Sequence, residues 1–200
     1  DDYRIGYVKT LADSRRDRLA LSEARQLVKD DPSPAHLETL SYVWMRQGKN
    51  GDRLLADMRA LNAAPGNNAL LRETIDALTE NRVSTPALWL SQSAAMSPAE
   101  RRRLERNAAA ERVRLADVPG RTEKERLRLA QNALDRYHAL LSRWQNEPQA
   151  AEDVVLARID RLGALYAQGN YRQVISEYEA LTAAQHPVPD WAIGWVISAY

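Results

Sequence analysis

Apolar and polar residues along the chain follow a helical beat. Ile159, Leu162, Gly163 and Tyr166 stand three, one and three apart, the spacing that gathers them on one face of a helix. Gly169-Asn170 interrupts the pattern, and it resumes at Tyr171, Val174, Tyr178 and Leu181. Two helices joined by a glycine turn are predicted, near Ala151–Ala167 and Tyr171–Ala183. A hairpin with one long apolar face cannot bury that face alone, so neighbours must stack on it.

The unit recurs. Ala20, Ala24 and Leu27 are followed 34 residues later by Leu54, Met58 and Leu61, the period of tetratricopeptide repeats. Pro32 and Pro65 close the two second helices, where proline stops a helix from continuing. On the first helices, Tyr7, Val8 and Leu11 are answered by Leu37, Leu40 and Trp44, and Gln47-Gly48-Lys49-Asn50-Gly51 makes the reversal. Leu71, Ile75 and Leu78 carry the stripe onward, but Leu88-Trp89-Leu90 sits in a short helix broken by Ser and Gln. Ser97-Pro98-Ala99-Glu100 and Thr122-Glu123-Lys124-Glu125 are capping boxes that open two long helices. The first runs to about Ala116 and breaks at Val118-Pro119-Gly120. The second carries Leu127, Ala130, Leu134, Tyr137, Leu141 and Trp144 and ends at Asn146-Glu147-Pro148. After the linker His186-Pro187-Val188-Pro189, Ile193, Val196 and Tyr200 stand 34 residues beyond Ile159, Leu162 and Tyr166.

The expected fold is therefore all-α, a tetratricopeptide-repeat (TPR) superhelix of antiparallel helix pairs forming one solenoid over residues 1–200. Its parts are repeats over 1–34 and 35–66, a degenerate repeat over 67–97, and two long helices over 98–146. A further repeat covers 149–187, and 188–200 is the first helix of a truncated one. Trp44, Trp144, Tyr166 and Tyr178 lie on apolar stripes and are assigned to the core, and Gly163 to a close approach between helices.

Composition narrows the picture. The chain is rich in Ala, Leu, Arg and Glu, which favours helix. It has no Cys, hence neither a disulfide framework nor thiolate chemistry. A formal charge of +1 argues against non-specific nucleic-acid binding over the whole surface. The Arg-rich run Arg101-Arg102-Arg103, Arg106, Arg112 and Arg114 is interleaved with Glu100, Glu105 and Glu111 at helical pair spacing and holds no aromatic to stack on bases. A solvated or partner-facing helix is expected there, and no nucleic acid. No stretch reaches the roughly twenty apolar residues that span a bilayer, so this segment is not expected to insert directly in a membrane. The chain opens on Asp1-Asp2 with no signal peptide and stops at Tyr200 inside a helix, so both ends look like cuts within a longer protein. His36, His138 and His186 are isolated, and there is no Gly-rich phosphate loop and no Gly-x-Ser-x-Gly. No catalytic residue, metal or cofactor is expected, and the chain is read as not an enzyme.

The order Leu162-Gly163-Ala164-Leu165, Tyr171, Val174-Ile175-Ser176 and Tyr178, then Pro189, Trp191, Trp195-Val196 and Ser198-Ala199-Tyr200, resembles the periplasmic region of PgaA-type porins. Arg121-Thr122-Glu123, Glu125-Arg126, Ala130, Ala133-Leu134 and Tyr137 fit the same region, as does Thr10-Leu11-Ala12-Asp13. The likeness is good from Arg112 to Tyr200 and patchy from Asp1 to Met96. Such porins export the biofilm polysaccharide poly-β-1,6-N-acetylglucosamine (PNAG), with TPRs preceding an outer-membrane β-barrel. The resemblance implies a periplasmic segment of a Gram-negative outer-membrane protein. It would bind and guide partly deacetylated polymer toward the barrel and dock the periplasmic polysaccharide deacetylase.

With Ile159, Leu162, Gly163 and Tyr166 packing, Asp160 falls on the groove side of its helix. The same count puts Glu38 and Tyr42 in the groove of the second repeat and Trp191 in that of the last unit. Carboxylates there would form charge-assisted hydrogen bonds with glucosamine ammonium groups. Aromatic faces would stack on pyranose rings or attract the ammonium. In the bland alternative Asp160 and Glu38 are solvated or pair with Arg161 and Arg46 nearby. Two other functions fit the fold: a general TPR adaptor for a protein or peptide, and a fragment of a helical-superhelix glycan hydrolase, for which the chain lacks a catalytic lobe.

Overall fold

The computed structural model describes residues 2–200, with Asn50 described by its backbone alone; Asp1 lies outside the described residues. The described residues form eleven α-helices and one 3-10 turn, without a strand. They divide into two compact units, Asp1–Met96 and Ser97–Tyr200.

The first unit holds α1 (Asp2–Asp13), α2 (Asp17–Asp30), α3 (Pro34–Arg46), α4 (Asn50–Ala63), α5 (Asn68–Glu80) and α6 (Ser84–Leu90). Short connections make consecutive helices antiparallel neighbours. Val8, Leu11, Ala20, Ala24, Leu27 and Val43 form the core of the first hairpin and of the helix that follows it. Small residues on α2 let it lie close to α1 and α3. A second cluster, Leu37, Ala60 and Leu70, ties α3, α4 and α5 together. After α6, the chain is pinned back on α5: Asn68 Oδ1 accepts from the Ala95 amide at 2.9 Å, and Arg72 donates to the Ala95 carbonyl at 2.8 Å.

The repeat offset here is 33, not 34. Ala20, Ala24 and Leu27 correspond to the buried Arg53, Asp57 and Ala60, whereas Leu54 and Leu61 are only half-buried and Met58 is exposed. Pro32 and Pro65 have the same spacing of 33. The apolar look of Leu54 and Met58 masks a shift that moves a charged pair into the interior. Trp44 also departs from expectation: it is half-buried, with the Arg25 guanidinium 5.4 Å from its ring centroid.

The second unit holds α7 (Pro98–Ala116), α8 (Glu123–Trp144), a 3-10 turn (Pro148–Ala150), α9 (Ala151–Ala167), α10 (Tyr171–Ala183) and α11 (Asp190–Ala199). Both capping boxes form as the sequence requires. Ser97 Oγ accepts from the Glu100 amide while Glu100 accepts from the Ser97 amide, and Thr122 and Glu125 do the same. Such caps satisfy amides that a helix start otherwise leaves open. Tyr137, Trp144, Ala157 and Ala164 centre the core of α7, α8 and α9. Ile159, Leu162, Leu165, Val174, Leu181 and Val196 centre that of α9, α10 and α11. Tyr166 and Tyr178 pack against the second of these clusters. Gly169, at φ 74°, turns the chain between α9 and α10, a left-handed conformation that suits glycine. At Gly163, a Cβ would lie 2.7 Å from the Trp195 ring. The absence of a side chain is what lets α11 lay its tryptophan on α9.

Candidate functional site

In the first unit, Glu38 and Tyr42 stand one helical turn apart on α3, so their side chains share a face. The Tyr42 hydroxyl donates to Asp13 Oδ1 at 2.6 Å, and Lys9 Nζ lies 5.6 Å from the Tyr42 ring centroid. That hydrogen bond, with burial, raises the phenol above its ordinary value. Arg46 pairs with Asp13 at 3.0 Å, so the expected Glu38–Arg46 pair gives way to one that fixes α3 on α1.

Residues that periodicity did not single out complete this face. Asp57 on α4 is 1% exposed, and Glu73 on α5 is half-buried. Burial, reinforced by the negative charges of Asp57 and Glu38, pushes the Glu73 carboxyl up to about 7, against the opposing pull of Arg53 and Lys9. Burial likewise raises Asp57, countered by the Ser41 hydroxyl and by Arg53. Arg53 lies 3.6 Å from Asp57 and donates to Glu80 at 2.5 Å, so its charge is divided between two acids. Glu38, Asp57 and Glu73 thus come from three helices into mutual electrostatic range with too little positive charge among them. Among the described residues, no group of three or more such side chains has the spacing to hold a metal ion. What the arrangement can do is accept hydrogen bonds from a cation, and a cation there would relieve the repulsion.

In the second unit, Asp160 is largely buried between α7 and α9. It pairs with Arg106 at 3.0 Å rather than with Arg161, which joins Arg158 in holding Glu177. Burial pushes Asp160 up to about 6 even though Arg106 and Arg114 draw it down. The neighbouring Tyr137 hydroxyl is buried without a hydrogen-bond partner. Trp191 is 55% exposed and meets Trp195 edge-on, with centroids 5.7 Å apart, which leaves ring surface open. Glu38 and Tyr42 share one face of α3; Asp160 and Trp191 lie in the other unit, on α9 and α11.

The whole chain aligns with a known protein. Across 199 residues it is 32% identical to the poly-beta-1,6-N-acetyl-D-glucosamine export protein of Escherichia coli strain K12, and equally to that of strain O157:H7. This chain is similar to a segment of that export protein. All of the chain is covered by the match, so the likeness read from the residues after Arg112 extends through the first half as well. The chain spans 24% of the length of these curated relatives. No family model matches. A solved structure titled as the functional characterization of Pseudomonas aeruginosa pilF is 16% identical, covering 99% of this chain and 82% of that one at a TM-score of 0.47. No helix among the described residues is long and apolar enough to cross a membrane.

Proposed function

We propose that this chain is a periplasmic TPR region of a polysaccharide export protein, and that it binds and guides partly deacetylated PNAG toward an outer-membrane barrel. The observation that carries the reading is the carboxylate cluster of the first unit. Glu38 and Glu73, backed by the buried Asp57, make a polar face short of positive charge. Glucosamine units present ammonium groups, and N-acetylated units do not, so such a face selects for deacetylated stretches. Tyr42 and Trp191 supply aromatic contact at roughly 0.5–2 kcal/mol each. Asp160 acts on the polymer only through Arg106, whose guanidinium it holds. Weak sites along one polymer combine through effective concentration.

The test is calorimetric titration of the chain with β-1,6-linked oligomers, fully acetylated or partly deacetylated. Tighter binding of the deacetylated oligomer is expected. Equal affinity for the two would overturn the reading.

A second reading, docking of the periplasmic deacetylase, has its own observation. An apolar groove of about 690 Å³ in the second unit is lined by Trp144, Pro148, Ala151, Val154 and Val155. Val155→Asp would abolish capture of the deacetylase if it docks there and leave oligosaccharide binding intact.

A further inference from the structure

A cavity of about 500 Å³ opens between α7 and α8, within the second unit. Its volume falls in the range of small-ligand sites, roughly 300–1,000 Å³. Arg128, Asn132 and Arg136 follow one another at four-residue intervals on α8, which puts them on one side of that helix. Arg112 reaches the same cavity from α7, and the buried Leu129 supplies its apolar part. Three guanidinium groups from two helices thus line one concavity.

No carboxylate holds them. Other arginines of this unit have partners: Arg102 pairs with Asp153, Arg106 with Asp160, and Arg158 and Arg161 with Glu177. Arg112, Arg128 and Arg136 stand in no ion pair among the described residues, and Arg112 Nε is out of solvent without a hydrogen-bond partner. Arg136 Nε donates to Asn132 Oδ1 at 3.2 Å, a bond that engages one of its three nitrogens. Burial and then the charge of Arg112 lower the Arg136 guanidinium from its ordinary value, and Glu111 opposes them more weakly. Arg112 and Arg136 are both half-buried, so their repulsion is poorly screened and an anion between them would relieve it. Asp135 also lines the cavity, but its Oδ1 accepts from Gln131 at 2.8 Å rather than from an arginine.

We propose that the α7–α8 cavity binds a doubly charged phosphate group, free or carried as a monoester on a small molecule. Three guanidinium charges against the one carboxylate in the lining leave an excess of two, which matches the charge of about −1.5 to −2 on a phosphate monoester at pH 7. Guanidinium forks present paired N–H donors to phosphate oxygens. The volume exceeds what a bare phosphate needs, and the Leu129 side leaves room for an organic part. The same excess of positive charge repels glucosamine ammonium groups. The site is therefore independent of the polymer reading, and neither stands on the other.

The test titrates the whole chain at neutral pH and low ionic strength with inorganic phosphate, glycerol 3-phosphate, glucose 6-phosphate and the singly charged diester dimethyl phosphate, followed by calorimetry and NMR. The doubly charged ligands are expected to shift the Arg112 and Arg136 side-chain resonances and the Leu129 amide, and to bind more tightly than the diester. Tighter binding of an ester than of inorganic phosphate assigns the site to an esterified ligand, and the reverse assigns it to free phosphate. Arg112→Gln/Arg136→Gln should weaken the best ligand about tenfold or more. Arg128→Gln, at an exposed position that packing does not depend on, should weaken it too. Arg172→Gln removes an exposed arginine of α10, outside the cavity, and should leave affinity within about twofold. Losses in the first two variants no greater than in Arg172→Gln overturn the site. So does a diester that binds as tightly as phosphate, or an unaltered chain that binds none of the doubly charged ligands.

Discussion

Replacing Glu73 with Gln should stabilise the protein at neutral pH while weakening its grip on a cationic ligand. The carboxyl is pushed from its ordinary 4.5 up to about 7 in the folded chain, chiefly by burial and then by Asp57 and Glu38. A folded-state value above the unfolded one means that the folded protein holds the proton more tightly. Below pH 4.5 both states are protonated and there is no penalty. Between 4.5 and 7 the unfolded state ionises first, so stability falls as pH rises, and above 7 the loss is complete at about 3 kcal/mol. Glutamine is neutral throughout and escapes this penalty. Urea unfolding followed by tryptophan fluorescence should show Glu73→Gln more stable by about 1–3 kcal/mol near pH 8 and nearly unchanged near pH 4.5. A stability difference that does not vary with pH, or a variant less stable near pH 8, refutes the reasoning. A residue that costs stability where it stands, and gains only when a cation arrives, is the pattern of a site held ready for a ligand.

Other outcomes follow from the same contacts. Gly163→Ala places a methyl 2.7 Å from the Trp195 ring and should cost about 1–3 kcal/mol, read as a lower unfolding midpoint with altered tryptophan emission. Arg53→Met leaves the buried Asp57 uncompensated and should cost about 3–5 kcal/mol, and adding Asp57→Leu should recover most of that loss; denaturant unfolding of both variants checks it. Trp191→Ala should weaken deacetylated oligomer binding by about 0.5–2 kcal/mol in calorimetry. Asp160→Asn should change that affinity less than Glu38→Gln does, because Arg106 already engages Asp160.

Helices, hairpins and caps were legible because each depends on local chemistry. Ser97 and Thr122 with their partner glutamates state a helix start in four residues, and the spacing of Ile159, Leu162 and Tyr166 states which side packs. The carboxylate face was only half legible. Glu38 and Tyr42 follow from their side of α3, but Asp57 and Glu73 belong to it through the packing of α4 and α5, which no periodicity displays. The spacing of Pro32 and Pro65 held the signal for Asp57, since a 33-residue offset places it opposite Ala24. Asp160 shows the converse limit. Its side of α9 was deducible, but its partner comes from α7, 54 positions earlier, and only three-dimensional packing chooses Arg106 over the adjacent Arg161.

The most direct measurement is the affinity of a deacetylated β-1,6-glucosamine hexamer for the chain and for its Glu38→Gln/Glu73→Gln double variant at neutral pH. Loss of two charge-assisted contacts predicts a fall of at least tenfold, about 1.4 kcal/mol or more. Equal affinity in the two proteins would contradict the assignment of this carboxylate face to the polymer.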